Sequence, residues 1–351
     1  MKAHEAPNSF LVPRAIGRTG GDLLARGDQY AEQLDMFREV LDRPARLQIL
    51  AMIALSDPRN LDREQHARIA DIVEFMGYDR QKTGKFDPKL YQRIEEYGMI
   101  FFRKETVLFD RRPAGKDAKG RPKYSGEAVF MRLLQEFGFR YEDEDGQMIA
   151  LDRLPPDDRI EYRSPDGRFP IWAIPVQDEH GRLIKNESGQ PRRRPATGIV
   201  WRFASRLAEM SRDKATSWVF YRDALEILRS YLYKPAAFEL IWLTLFWKGE
   251  GYIEISYEKL IRHLDIRSKD QKQVQKAVGE AFQAALDSGI IDSLPTVDPA
   301  GKWNKGTNKP RRMSMTYRWR RSKRWTIGPS LAISSTIDRA DRLSNEPTTD
   351  E

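Results

Sequence analysis

The sequence predicts an α+β fold, mostly helical with β-hairpins, divided between two domains. A chain of 351 residues exceeds the roughly 250 residues that one core usually fills. Its C-terminal half orders its elements as helix, strand, helix, helix, strand, basic loop, strand. The N-terminal half repeats that plan less clearly. Apolar residues at 40% and charged residues at 32% describe a folded chain with a heavily ionised surface.

The C-terminal half is the more legible. In "SWVFYRDALEILRSYLY" (Ser217 to Tyr233), Val219, Leu225, Leu228 and Leu232 have near-helical spacing, and Pro235 then opens a new helix. That helix, "AAFELIWLTLFW", is apolar nearly all round and belongs in a core. It contains Glu239 and falls short of the roughly 20 residues needed to span a bilayer, so no membrane role is expected. "YIEIS" alternates as a strand, and "YEKLIRHLDI" places Tyr257, Leu260, Ile261 and Leu264 on one helical face.

The next helix, Ser268 to Gly289, carries its punctuation in the sequence: Ser268 and Gln271 at capping-box spacing, and Gly289 as the stop. Val274, Val278, Ala281, Phe282 and Ala285 make its buried stripe. Lys269, Lys272, Gln273, Gln275, Lys276 and Gly279 lie off that stripe, at the amide- and ammonium-rich outer side. "IIDSL" reads as a strand, a basic excursion follows, and "MSMTYRWRR" returns as a strand. This order is that of a winged helix-turn-helix, whose third helix can enter a major groove while the wing reaches phosphates.

The segment "RRMSMTYRWRRSKRW" (Arg311 to Trp325) holds seven cations, three aromatic residues and no acid. With a net charge of +8 over the chain, this distribution points to nucleic acid as partner. Wing candidates for backbone contact are Lys302, Trp303, Lys305, Lys309, Arg311, Arg312, Arg318 and Arg320. Strand alternation turns Tyr317 and Trp319 toward the core.

In the N-terminal half, "RPARLQILAMIALSDP" is a helix between Pro44 and Pro58. "DREQHARIADIVEFMGY" is a helix with Asp62 and Gln65 as cap and Gly77 as stop, and "DPKLYQRIEEYG" is a third. "MIFFRKETVLF" reads as a strand, "DRRPAGKDAKGRPKY" as a second wing, and "EAVFMRLL" as its return. This second wing offers Arg111, Arg112, Lys116, Lys119, Arg121 and Lys123 as first-domain DNA contacts. The expected division is an N-terminal arm, partly flexible, over 1–40; a first winged-helix domain over 41–197 with a turn-rich insertion at about 138–195; a second, the main DNA reader, over 198–325; and a disordered tail over 326–351.

Catalytic signals are sparse. The absence of cysteine excludes disulfides, thiolate metal sites and cysteine nucleophiles. His4, His66, His180 and His263 show no metal spacing, and there is no phosphate-binding glycine loop or nucleophile elbow. No cofactor is expected. Acid pairs such as Asp157 with Asp158, or Glu254 with Glu258, keep open a metal-dependent nuclease or nickase.

From "GIVWRFASRLAEM" through "YIEISYEKLIRHLDI" and the Lys- and Gln-rich helix to "MSMTYRWR", roughly Gly198 to Arg320, the chain resembles the plasmid replication initiator (Rep) proteins with tandem winged-helix domains. A weaker likeness covers about Pro44 to Leu134. The resemblance implies a non-enzymatic cytoplasmic protein that binds double-stranded DNA repeats (iterons) at a plasmid or phage origin. It also implies partners in a host initiator ATPase and a replicative helicase, and a homodimer through the first domain. A winged-helix transcriptional repressor is the alternative.

Overall fold

The computed structural model describes residues 8–26, 31–116, 122–142, 147–163, 170–212, 217–247, 252–268, 270–299 and 315–325. The expected tail over 326–351 lies outside them. The chain opens with β1 (Ser9–Pro13), α1 (Arg14–Arg26), α2 (Ala31–Val40), α3 (Arg43–Ala54), β2 (Gln65–Arg68), α4 (Ile69–Phe75) and α5 (Pro88–Arg103). There follow β3 (Thr106–Lys116), β4 (Pro122–Met131), β5 (Leu134–Glu142), β6 (Met148–Ala150), β7 (Ile160–Arg163), β8 (Pro170–Ala173) and β9 (Gly198–Phe203). The last part holds α6 (Ser205–Arg212), β10 (Ser217–Tyr221), α7 (Arg222–Ser230), α8 (Pro235–Leu245), β11 (Tyr252–Ser256), α9 (Tyr257–His263), α10 (Gln271–Asp287), β12 (Thr296–Pro299) and β13 (Met315–Arg320). This is an α+β chain, and none of its described helices is long and apolar enough to cross a membrane.

The chain divides into two compact units, each assembled from separate stretches. The first takes residues 1–7, 39–106 and 130–209; the second takes 8–38, 107–129 and 210–351.

In the first unit, Asp42 caps α3 by accepting from the Ala45 amide at 2.9 Å, and Pro44 sits in the opening turn where its missing N–H costs nothing. The helix is buried from Ala45 to Ala54. Asp87 and Pro88 begin α5 in the same way. Behind these helices lies an antiparallel four-stranded sheet in the order β2-β9-β5-β6. Trp201 of β9 pairs with both Gln65 and Phe137 and is fully buried. Gly98 of α5 lets the Phe137 ring lie against the helix, where a Cβ would come within 2.1 Å of it.

The second unit repeats this order. Helix α8, strand β11, helices α9 and α10, then β12 and β13 correspond to α3, β2, α4, α5, β5 and β9. In both sheets the last strand lies between the other two: β11-β13-β12 and β2-β9-β5. Phe282 of α10 stacks on Tyr317 at 5.8 Å and meets the edge of Trp319 at 5.2 Å, so both β13 aromatics face the core as alternation predicts. The Trp319 indole N–H donates to Thr244 Oγ1 at 3.1 Å.

Several expectations are corrected. Of the stretch expected as an arm, the described residues 8–26 and 31–40 are built into the fold: β1 pairs with β10, and the Trp242 indole donates to the Gly17 carbonyl at 2.8 Å. Phe10, Val12, Ile16 and Leu23 are buried there. The first five residues of "SWVFYRDAL" are β10, because β1 supplies a ladder partner for each; the helix starts at Arg222. Gln65, expected in a helix cap, belongs to β2, and its side chain instead accepts from the Asp57 amide and donates to the Asn60 carbonyl. Residues 99–103 of "MIFFRKETVLF" finish α5, and the strand begins at Thr106. "IIDSL" contributes a single bridge, Ile291 to Arg321, since adjacent Ile290 and Ile291 are both buried where α10 ends.

The segment expected as a second wing also differs from its expected place. The hairpin β3–β4 is a separate two-stranded sheet, and its base is held to α1 by the Phe109 amide donating to Thr19 Oγ1 at 2.7 Å. The turn-rich stretch 138–195 begins inside β5 and leads back to β9, the strand that pairs with β5. Its outer part is regular. Asp178 and Asn186, eight residues apart in the sequence, each accept two amides of the following turn, and Gly181 and Gly189 take positive φ at matching places.

Candidate nucleic-acid interface

Helix α10 is capped by Asp270, not Ser268. The Asp270 carboxylate accepts from the Lys272 amide at 2.8 Å, and Ser268 Oγ accepts from the Asp270 amide at 3.2 Å. Val274, Val278, Ala281, Phe282, Ala284 and Ala285 are buried. With that stripe fixed, the 3.6-residue period leaves Lys272, Gln273, Gln275, Lys276 and Gly279 exposed. Ser268 donates to Gln273 Oε1 at 3.0 Å, and Gln275 keeps an amide able to donate and accept together.

Lys276 lies 3.8 Å from Glu280, but the lysine side chain is 76% exposed. Such a pair contributes about 0–1 kcal/mol and gives way readily to a phosphate or a base edge. An ideal Cβ on Gly279 would meet no atom within 4 Å. The glycine therefore leaves an open notch among the polar side chains.

Beside the helix, β13 presents Arg318 and Arg320 to solvent. Arg318 is committed in part, pairing with Glu254 at 3.1 Å and lying 4.3 Å from the Tyr252 ring centre. Arg321 is buried: it donates to the Leu245 carbonyl at 2.7 Å and the Trp247 carbonyl at 3.1 Å, completing the end of α8. Arg324 pairs with Asp223 at 3.1 Å. Part of the cation density of 311–325 thus holds the fold together.

Comparison with known proteins adds solved structures only. No family model matches the chain, and no curated protein matches it. The chain is similar to the Pi initiator protein in its complex with iteron DNA, with a TM-score of 0.43 and 12% identity over 90% of this chain and 98% of that one. It is also similar to domains 2 and 3 of RctB, with a TM-score of 0.37 and 10% identity over 80% of this chain and 82% of that one.

Of the residues expected to touch DNA, the structure brings the described α10 set together on one face. Lys269, Lys302, Trp303, Lys305, Lys309, Arg311, Arg312, Lys119 and Arg121 lie outside the described residues. Arg111, Arg112 and Lys116 fall on β3 and Lys123 on β4, a hairpin that belongs to the second unit with α10 and not to the first. Sequence reading passed over Arg267, at the turn before α10 and 86% exposed. It also passed over Arg38, whose partner Asp265 could have been noticed as an acid where a helix stops. Of the acids considered for a nuclease, Glu254 pairs with Arg318, Glu258 pairs with Arg262 at 3.2 Å, and Asp157 and Asp158 stand exposed on a short turn.

His263, in the last turn of α9, has its pKa pushed down to about 4, first by burial and then by the charges of Arg38, Arg18 and Lys259. A helix C-terminus ordinarily favours a cation, but desolvation outweighs it here. The folded protein resists a proton that the unfolded chain accepts near pH 6.5. This contribution to stability is therefore complete above about pH 6.5 and is lost as pH falls toward 4. Melting temperatures at pH 7 and pH 5 are expected to differ more for the natural protein than for His263→Gln. Equal differences would show that His263 does not set the acid limb.

Proposed function

We propose that the chain is a non-enzymatic, sequence-specific double-stranded DNA-binding protein built from two winged helix-turn-helix units, acting as a replication initiator at repeats of a plasmid or phage origin. The carrying observation is the exposed face of α10, with Lys272, Gln275 and Lys276 around the open position at Gly279, next to the basic strand β13. Lysine can reach guanine O6 and N7, glutamine can pair with adenine N6 and N7, and a helix face without a central side chain can come close to the base edges. The repeated order of elements in both units supports a long asymmetric site read by two heads. The step from DNA reader to origin initiator, with a host initiator ATPase and helicase as partners and dimerisation through the first unit, rests on the resemblance of the sequence to Rep proteins.

The test is selection of bound duplexes from fragmented source DNA and from a randomised library at about 0.15 M salt. A long asymmetric site recurring in tandem supports the initiator, a single palindrome beside a promoter favours a repressor, and no enrichment refutes base reading. Nicking of supercoiled DNA with magnesium would instead reveal a nuclease. On the selected site, Lys276→Ala is expected to relax preference at one base position by about tenfold. Arg320→Ala should weaken all sequences alike and lower the salt slope by about one. Indistinguishable profiles would remove the division between reading helix and supporting strand.

A further inference from the structure

The turn that delivers the chain into α10 is held from outside the helix pair. Helix α9 ends in a glycine-type stop: the Asp265 amide donates to the Arg262 carbonyl at 3.3 Å, and the Ile266 amide donates to the Ile261 carbonyl at 3.2 Å. That stop requires a left-handed residue, and Asp265 has φ +53°, the only non-glycine positive φ among the described residues. Two other helices close in the same way with the expected glycine. Gly77, with φ +81°, follows α4, the counterpart of α9 in the first unit; Gly289, with φ +67°, follows α10. Backbone chemistry alone therefore favours glycine at position 265.

The aspartate side chain explains the departure. Arg38 of α2 approaches Asp265 Oδ1 at 3.5 Å and donates to the Arg262 carbonyl at 3.4 Å, so one guanidinium grips both the turn and the end of α9. Arg267, two residues on, reaches Oδ2 of the same carboxylate at 3.4 Å. A pair of this kind, about one-third exposed, adds little to stability but fixes a direction, since the planar fork of arginine engages two acceptors at set angles. The grip lies five residues before the Asp270 cap, ahead of Lys272, Gln275 and Lys276.

We propose that Arg38, acting through Asp265, is a positioning residue for DNA reading: it sets the pose of α10 and thereby the discrimination between base sequences. This rests on the proposed reading by α10. It makes the N-terminal segment a working part of the reading head and not only a support for its core.

The test compares full-length natural protein with Asp265→Gly, Arg38→Ala, Arg38→Lys and the double variant Arg38→Ala with Asp265→Gly. Each is titrated with the selected duplex and a scrambled duplex over a salt series, with thermal unfolding measured alongside. Asp265→Gly relieves the backbone, so its melting temperature should hold or rise while the ratio of specific to scrambled affinity falls about tenfold. Arg38→Ala should lose the same ratio with its salt slope unchanged, Arg38→Lys should recover part of it, and the double variant should lose no more than either single. An unchanged ratio in Asp265→Gly overturns the proposal. So does a salt slope lowered by about one in Arg38→Ala, because Arg38 would then be a direct phosphate contact. If the natural protein discriminates but these variants match it, only the positioning role falls; if the natural protein does not discriminate, base reading by α10 falls and takes positioning with it.

Discussion

Replacing Glu95 with alanine is expected to destabilise the first unit by about 3 kcal/mol, the low end for breaking a buried ion pair. Glu95, on α5, is only 1% exposed; its carboxylate meets the guanidinium of Arg193 and accepts from the Ala196 amide at 3.3 Å. Desolvation raises its pKa despite the arginine, which shows how costly the site is for a lone charge. Arg193 keeps 24% exposure, so water would compensate part of its loss and hold the effect near the lower bound. The pair ties the returning end of the 143–197 excursion to the helix beneath it, just before β9 enters the sheet. Urea unfolding should therefore show the loss, and hydrogen exchange should show it first at residues 174–196. Replacing both partners with methionine should recover most of the stability, since the desolvation cost disappears with the charges. A loss under about 1 kcal/mol for the alanine variant would mean that the pair behaves as a surface pair.

The legible part of the fold was the part with strong local signals. Helix α8 is apolar nearly all round and α10 keeps one stripe for its full length with Gly289 at its stop, so both are readable at single-sequence level. The start of α10 was misplaced because serine and aspartate two residues apart are both competent caps, and only geometry shows Asp270 facing the free amide. The N-terminal strand was missed because its meaning lies in β10, more than 200 residues away; "SFLVP" by itself carries no more than weak alternation. The placing of the β3–β4 hairpin has the same origin. "DRRPAGKDAKGRPKY" and the 143–197 excursion both carry turn residues and cations, and what decides between them is which flanking strand pairs with β9. The candidate site was legible as a polar, ammonium-rich helix face. Its mounting was not, because Arg38 reaches Asp265 across 227 positions of sequence, a separation at which no period or spacing carries a signal.

Gly279→Glu is expected to leave the protein at least as stable as before and to reduce affinity for the selected duplex by about a hundredfold at low salt. Glycine in the interior of a helix costs about 1 kcal/mol relative to alanine, so its presence needs a reason. Gly17 and Gly98 have one inside the fold, where a Cβ would lie 1.9 Å from Phe246 and 2.1 Å from Phe137. Gly279 has none, for its Cβ would meet open space, and glutamate there would be the better helix former. The cost is explained if something outside the protein must come against that face. A carboxylate at the notch would then oppose phosphate and base acceptors with like charge, while Gly279→Ala, which adds only a methyl group, should lose less affinity and gain about 0.5–1 kcal/mol of stability. Thermal unfolding and duplex titration of the two variants separate the outcomes. Stability gained with affinity lost places DNA on this face of α10. Stability gained with affinity intact would free the face from that role and turn attention to the β3–β4 hairpin, another basic element of the same unit.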